Sequence, residues 1–235
     1  MSNNYFQFKQ FTIWQDQCAM KVGTDGVLLG AWANCSKTKK ILDIGTGTGL
    51  IALMLAQRCN AHIDAIEIEE NAANQAQINV EKSKWANRIS VYHRALQDFT
   101  PALSYDLIVT NPPFFNNSLA AQTEERTFAR HSTSLHYEDI IDFIQKYLNT
   151  NGKFAIIYPT DSFKYLQEYA LNKRLFPVRK TDIYPTPDNA AKRILAEFEK
   201  EKKEIVHNSI IIEENGRHQY SKEYINLTKD FYLKF

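Results

Sequence analysis

Cysteine is scarce in this chain, and what there is does not pair. Cys18, Cys35 and Cys59 form an odd set with no CxxC spacing and no Cys/His pairing, which argues against a disulfide scaffold and a zinc site alike. Long apolar runs are missing as well: the longest, Leu50 to Ala56 (LIALMLA), falls far short of the ~20 residues that a bilayer span requires. The start, MSNNYFQFKQF, has no basic segment leading into an apolar one, so nothing marks a secretory signal. Neither charge is in excess. With 28 Lys+Arg against 27 Asp+Glu, any nucleic-acid contact must come from a local patch rather than bulk attraction. No Pro/Gly/Ser-rich linker, internal repeat or low-complexity tract divides the chain. These absences point to a soluble, reduced, cytoplasmic protein with no membrane segment and no metal.

What is present is ordinary globular material. Of 235 residues, 44% are hydrophobic and 23% charged, which excludes long disorder, collagen and coiled coil. The chain reads as one domain over 1–235, with 1–36 as a closing segment and 176–235 as C-terminal strands and tail. Strand and helix patterns alternate. Strands are expected at Lys40–Ile44, Ile63–Ile68, Ile89–Tyr92, Asp106–Thr110 and Lys153–Tyr158. Helices are expected at Leu50–Arg58, Asn71–Lys82, Asp139–Leu148 (stopped by Asn151-Gly152) and Ser162–Asn172. This alternation predicts an α/β fold with a mainly parallel sheet and helices on both faces. After Phe176 the strands Val178–Tyr184, Arg193–Phe198 and Ser209–Glu213 lack long helices between them, which predicts an antiparallel finish, followed by a helix and tail over Ser221–Phe235.

Three features carry chemistry. Asp43-Ile44-Gly45-Thr46-Gly47-Thr48-Gly49 lies between a strand and a helix, where open α/β sheets bind ligands. Glycines let the backbone turn tightly and approach a ligand, although a tight βα turn needs them for its own geometry too. The spacing is one residue short of G-x-G-x-x-G/A, and the acid Asp43 suits a cationic ligand better than a pyrophosphate. Glu67 ends the second strand, where a carboxylate accepts from ribose hydroxyls; the bland alternative is a solvated acid opening the next helix. Asn111-Pro112-Pro113-Phe114 follows the strand DLIVT. The two prolines hold that segment rigid, which leaves the Asn111 side-chain oxygen and the Pro112 carbonyl as paired acceptors beside an aromatic face. That combination suits an exocyclic amino group on a planar base or amide, while plain strand punctuation remains the alternative.

Together these motifs resemble the class I S-adenosylmethionine-dependent amino-methyltransferases, whose fold is Rossmann-like. The opening block, Phe8-Lys9-Gln10-Phe11 and Cys18-Ala19-Met20-Lys21-Val22-Gly23-Thr24-Asp25-Gly26-Val27-Leu28-Leu29-Gly30-Ala31-Trp32, narrows the resemblance. With Ile51–Arg58 and the ending Tyr220-Ser221…Phe231-Tyr232-Leu233, it is similar to the bacterial valine-tRNA adenine-N6-methyltransferases, which modify the adenine 3′ of the anticodon. The resemblance implies S-adenosylmethionine as cofactor and the anticodon stem-loop of tRNA as partner. Under it, Gly45, Gly47 and Gly49 pass beneath the methionine portion, Asp43 lies near its ammonium and Glu67 holds the ribose. Asn111 and Pro112 hold the target amino group, and Phe114 stacks on the flipped adenine. Thr24 and Asp25 close the methionine end, although both also suit a helix N-cap. Many relatives carry an Asp after strand three; Ala95 stands there here, which leaves Asp98 or the Leu96 backbone for the cofactor adenine.

Candidate RNA contacts are Arg126, Arg130 and His131, then Lys192 and Arg193, with a solvated loop as the alternative for the first three. The alternating charges of Glu199–Glu204 read as a solvated face, and the Phe6, Phe8, Phe11, Trp14 stripe reads as core packing ahead of base stacking. NPPF-type loops also resemble those of ribosomal guanine-N2- and release-factor glutamine-N5-methyltransferases. An NAD-binding oxidoreductase and a non-catalytic RNA-binding relative are the remoter alternatives.

Overall fold

The computed structural model describes residues 3–18, 20–113 and 135–235. Its strands are β1 (Tyr5–Gln7), β2 (Thr12–Trp14), β3 (Lys40–Ile44), β4 (His62–Glu67), β5 (Ile89–His93), β6 (Tyr105–Thr110), β7 (Leu148–Pro159), β8 (Phe176–Tyr184), β9 (Arg193–Glu199) and β10 (Val206–Ile211). Its α-helices are α1 (Thr24–Trp32), α2 (Leu50–Arg58), α3 (Glu70–Glu81), α4 (Tyr137–Tyr147), α5 (Thr160–Asn172) and α6 (Lys222–Thr228). Strands β3 to β10 form one sheet in the order β10-β8-β9-β7-β6-β3-β4-β5. The β7-β6-β3-β4-β5 half is parallel throughout. Its strands are apolar because both faces are covered: Ile41, Leu107 and Val109 pack into one core, and Leu42, Ile44 and Ile108 into the other. Each fully buried Leu or Ile side chain contributes about 1.5–3 kcal/mol.

Helix α2 is apolar on all sides because it lies under α1 as well as on the sheet; Leu50 to Ala56 are all buried. The two helices approach closely at Gly30, where an added Cβ would meet the Met54 sulfur at 2.7 Å. A side chain there forces the helices apart. Helix α3 starts on a carboxylate cap, the Glu69 side chain accepting from Asn71 N–H (3.1 Å) and Ala72 N–H (2.7 Å).

Three expectations need correction, and one feature was not expected. The antiparallel finish is carried by β9, which runs antiparallel to both β7 and β8, whereas β10 lies parallel to β8. With β9 inserted between β7 and β8, the strand that follows it meets only the free edge of β8. Asn151-Gly152 does not stop α4, which ends at Tyr147; both residues lie in β7, where the register shifts between Tyr105 and Leu107 of the partner strand. An added Cβ on Gly152 would meet the Tyr105 carbonyl at 2.9 Å, so the glycine serves close strand packing. The charge run is not simply solvated: Glu199 is 6% exposed and Glu197, just before it, 2%. Lys153 binds both (2.8 and 3.2 Å), and Arg179 binds Glu197 at 2.9 Å. Finally, the N-terminal residues form a hairpin, β1 against β2, that the aromatic stripe did not announce. Phe8 and Phe11 of that stripe are buried, while Trp14 is 36% exposed beneath the Lys82 ammonium.

Candidate active site

Ile44, the last residue of β3, pairs with Ile66 on β4 and Thr110 on β6. The residues that follow them, Gly45, Glu67 and Asn111, stand together at the sheet's C-terminal edge. Chain order reverses here between β3 and β6, which is the switch point where open α/β sheets hold ligands. The Thr110 hydroxyl donates to the Ile44 carbonyl at 2.9 Å and ties the two strand ends together.

The glycine loop is held from below. Gly45 N–H and Thr46 N–H both donate to the Ile66 carbonyl (2.9 and 3.0 Å). Gly45 and Gly47 have φ of +67° and +57°, the left-handed region that side chains disfavour. A Cβ built on either one meets no atom within 4 Å. The loop therefore presents bare backbone to open space above the sheet.

Glu67 braces this loop. Its Oε2 accepts from Gly47 N–H (2.9 Å), and its Oε1 accepts from Ile68 N–H (2.9 Å) and Glu69 N–H (3.0 Å). A carboxylate has about four acceptor positions, so one is left on Oε2. The sequence gives no signal for this brace, because the bond to Gly47 spans twenty residues. Beyond Glu67, an open cleft of about 670 Å³ is lined by Ile68, His93, Arg94, Ala95 and Asp98. Ala95 and Asp98 thus share one wall, while the Leu96 side chain is buried. Arg94 is a cation that sequence reasoning missed, held at this edge by its N–H to the Glu67 carbonyl (2.7 Å).

Two buried oxygens at this edge have no partner among the described residues. Asp43 is fully buried; its Oδ2 accepts from the Thr46 hydroxyl at 2.6 Å, and its Oδ1 has no hydrogen bond. Burial pushes its carboxyl up to about 7, against the Thr46 hydroxyl and the Ala52 amide, and the nearby Glu67 charge adds to the rise. One residue past the end of β6, Asn111 Oδ1 is likewise buried and has no partner among the described residues, with Pro112 buried beside it. Buried polar atoms are nearly always hydrogen-bonded, so an orphan marks a place where an outside donor fits.

The remaining candidates fall in different places. Helix α1 begins at Thr24 with Gly23 at its N-cap and no side-chain cap bond, so Thr24 and Asp25 are not the cap. Asp25 instead binds Arg193 at 2.7 Å, which joins an expected cofactor residue to an expected RNA contact. Arg193 pairs with Pro159 at the end of β7, on the same sheet edge as Asn111, and Lys192 beside it is exposed. Phe114, Arg126, Arg130 and His131 lie outside the described residues.

Comparison with known proteins agrees with this geometry. The family model described as methyltransferase small domain matches residues 22–165. A protein of Parabacteroides distasonis named tRNA1(Val) (adenine(37)-N6)-methyltransferase is 47% identical, with both chains covered completely. One of the same name from Trichodesmium erythraeum is 49% identical, again over the whole of both chains. Among solved structures, a predicted O-methyltransferase from Agrobacterium tumefaciens superposes with a TM-score of 0.70 at 18% identity, covering 88% of this chain and 96% of its own. The N-methyltransferase NodS of Bradyrhizobium japonicum, in complex with S-adenosyl-L-homocysteine, gives 0.53 at 19% identity over 73% of this chain and 82% of its own. The two structures show the shared class I methyltransferase fold. By sequence over its full length, the chain belongs to the methyltransferase small domain family and, within it, to the tRNA1(Val) (adenine(37)-N6)-methyltransferases.

Proposed function

We propose that this protein transfers a methyl group from S-adenosylmethionine to N6 of adenine 37, immediately 3′ of the anticodon, in valine tRNA. The observation that carries the reading is the pair of orphaned buried oxygens, Asp43 Oδ1 and Asn111 Oδ1, at the ends of adjacent strands at the switch point. The same pair answers whether the cofactor fits. An anionic or ionisable oxygen under a bare glycine loop suits an ammonium group. The free position on Glu67 suits a ribose hydroxyl, and the cleft at Ala95 and Asp98 suits an adenine ring. When bound, the cofactor supplies an electrophilic methyl on a sulfonium.

The chain's own part is positioning and electrostatics. The exocyclic nitrogen of adenine is a weak nucleophile because its lone pair is delocalised into the ring. Asn111 Oδ1 and the Pro112 carbonyl would accept hydrogen bonds from its two N–H groups and favour a pyramidal nitrogen whose lone pair is free to attack. The same two oxygens would stabilise the positive charge that grows on the nitrogen as the N–C bond forms and the S–CH3 bond breaks, with S-adenosylhomocysteine as the leaving group. Holding the nitrogen and methyl in line supplies much of the remaining rate. The product nitrogen is strongly acidic, and its proton leaves to water, so no general base is needed. Phe114 stacks on the base, which leaves its loop at a few kcal/mol or less. Lys192 and Arg193 on the sheet edge, with Arg126, Arg130 and His131 after the NPPF turn, meet the tRNA backbone. Residues 1–235 act as one cytoplasmic domain in which 1–36 close the cofactor and 176–235 complete the sheet; no described helix is long and apolar enough to cross a membrane.

The test is incubation with radiolabelled S-adenosylmethionine and, separately, total tRNA, ribosomal subunits and release factor. Label in tRNA, recovered as N6-methyladenosine at position 37 of valine tRNA, is the expected result. Label in ribosomal RNA or only in protein overturns it.

A further inference from the structure

The N-terminal segment crosses the back of the glycine loop, and a single buried side chain joins them. Asn79, near the end of α3, is 1% exposed. Its Nδ2 donates to the Trp14 carbonyl (2.8 Å) and to the Thr48 carbonyl inside the glycine loop (2.9 Å), and its Oδ1 accepts from Trp14 N–H (2.9 Å). Both amide protons and one oxygen lone pair are therefore used, and the two protons go to different segments. One turn back on the same helix, Gln75, also 1% exposed, accepts from Gln17 N–H at 3.1 Å. Gln15 continues the ladder by accepting from Val22 N–H at 2.9 Å, two residues before α1 carries Thr24 and Asp25 toward the sheet edge. Between Gln75 and Asn79, Ala76 packs against the third glycine of the loop: a Cβ on Gly49 would lie 3.5 Å from it.

We propose that Asn79 is a positioning residue for the cofactor: it fastens Trp14, at the end of β2, and the glycine loop to the same turn of α3, so that the two are ordered as one unit. The inference rests on the cofactor reading given above. The loop's backbone is left-handed at three glycines, Gly45, Gly47 and Gly49, and bare at the first two, and glycine carries the largest conformational freedom in an unanchored chain. Glu67 and Ile66 hold its first half through Gly47, Gly45 and Thr46. Asn79 holds the second half at Thr48. Without it, the loop populates its binding conformation less of the time, and apparent affinity falls in proportion. The rate once cofactor is bound stays the same, because Asn79 touches neither reacting atom.

The test uses the full-length protein with S-adenosylhomocysteine as the probe. In the wild type, amide exchange at Trp14, Gln17 and Val22 slows about tenfold when the probe binds, although these residues lie behind the loop. In Asn79→Ala, calorimetry shows affinity for the probe reduced about tenfold, and kinetics show the cofactor KM raised by a similar factor. Its kcat at saturating cofactor stays near the wild-type value. Unchanged exchange at Trp14, Gln17 and Val22 of probe-bound wild type overturns the proposal, and this arm needs no variant to fold. A folded Asn79→Ala with wild-type affinity overturns it equally. If the wild type binds no probe at all, the cofactor reading itself has failed, and the two failures are thereby told apart.

Discussion

Asp43 near the end of β3 and Asn111 just past the end of β6 stand at one edge of the sheet, and each presents a buried oxygen without a partner among the described residues. An unsatisfied buried polar group costs about 1–3 kcal/mol, and more when it is charged. The two oxygens differ in one respect. Asp43 is ionisable, with its carboxyl raised to about 7 by burial; the Asn111 amide stays neutral at any physiological pH. An ionisable oxygen matches a permanent positive charge and makes ligand capture sensitive to pH. A neutral oxygen matches an amine whose charge develops only in the transition state, and makes that step indifferent to pH. On the proposed reading, the neighbouring sites divide capture from chemistry.

The largest effect expected is on the neutral side. Asn111→Ala removes an acceptor aimed at developing charge, and single-turnover methyl transfer to valine tRNA is expected to fall on the order of a hundredfold or more. Affinity for S-adenosylhomocysteine, measured by calorimetry, should remain that of the wild type. Comparable losses in both measurements would erase the division between the two oxygens.

Next is the ligand-free stability of the ionisable side. Asp43 keeps its proton in the folded protein up to about 7, whereas an unfolded Asp releases it near 3.9. Between those values the folded state binds more protons, so this contribution to stability is complete below ~4. It is lost as pH rises to about 7 and is level beyond. Urea titrations at pH 5 and pH 8 should show Asp43→Asn free of a decline on the order of a few kcal/mol that the wild type carries. Equal declines in both proteins would place the titrating group elsewhere.

A smaller effect is expected on capture. An ammonium above Asp43 favours the ionised carboxylate, so binding releases a proton below pH 7 and S-adenosylhomocysteine affinity climbs by up to tenfold per pH unit before levelling. Asp43→Asn should bind about tenfold more weakly at pH 8 and lose that slope. Smallest of all, Thr46→Val deletes the 2.6 Å bond that favours the carboxylate. It should cost about 1 kcal/mol and move the affinity midpoint to higher pH.

The parts that were legible in the sequence are those punctuated by glycine and proline. The loop over Gly45 to Gly49, the strand end at Glu67 and the Asn111-Pro112-Pro113 turn all sit where the alternation of strands and helices put them. Helix α2 spans Leu50–Arg58, as its apolar run indicates, because burial on every side leaves no polar face to blur the ends. What stayed hidden depends on contacts between residues far apart in the chain. The Asp25–Arg193 ion pair spans 168 positions, and the Asn79 bonds to Trp14 span 65. Neither leaves a periodic trace. The charged run at Glu199 looked solvated because local alternation says nothing of Lys153 arriving from β7. The three-residue strands β1 and β2 are too short to show alternation at all.

The division of labour is tested most directly by the single-turnover rate of methyl transfer to valine tRNA, at saturating cofactor, from pH 7 to pH 9. A rate that does not vary across this range is the expected result, since in the proposed mechanism a neutral amide and a proline carbonyl hold the amine and the proton leaves afterwards. A rate that climbs tenfold per pH unit would contradict it, because a titrating base would then be removing the proton in the step itself.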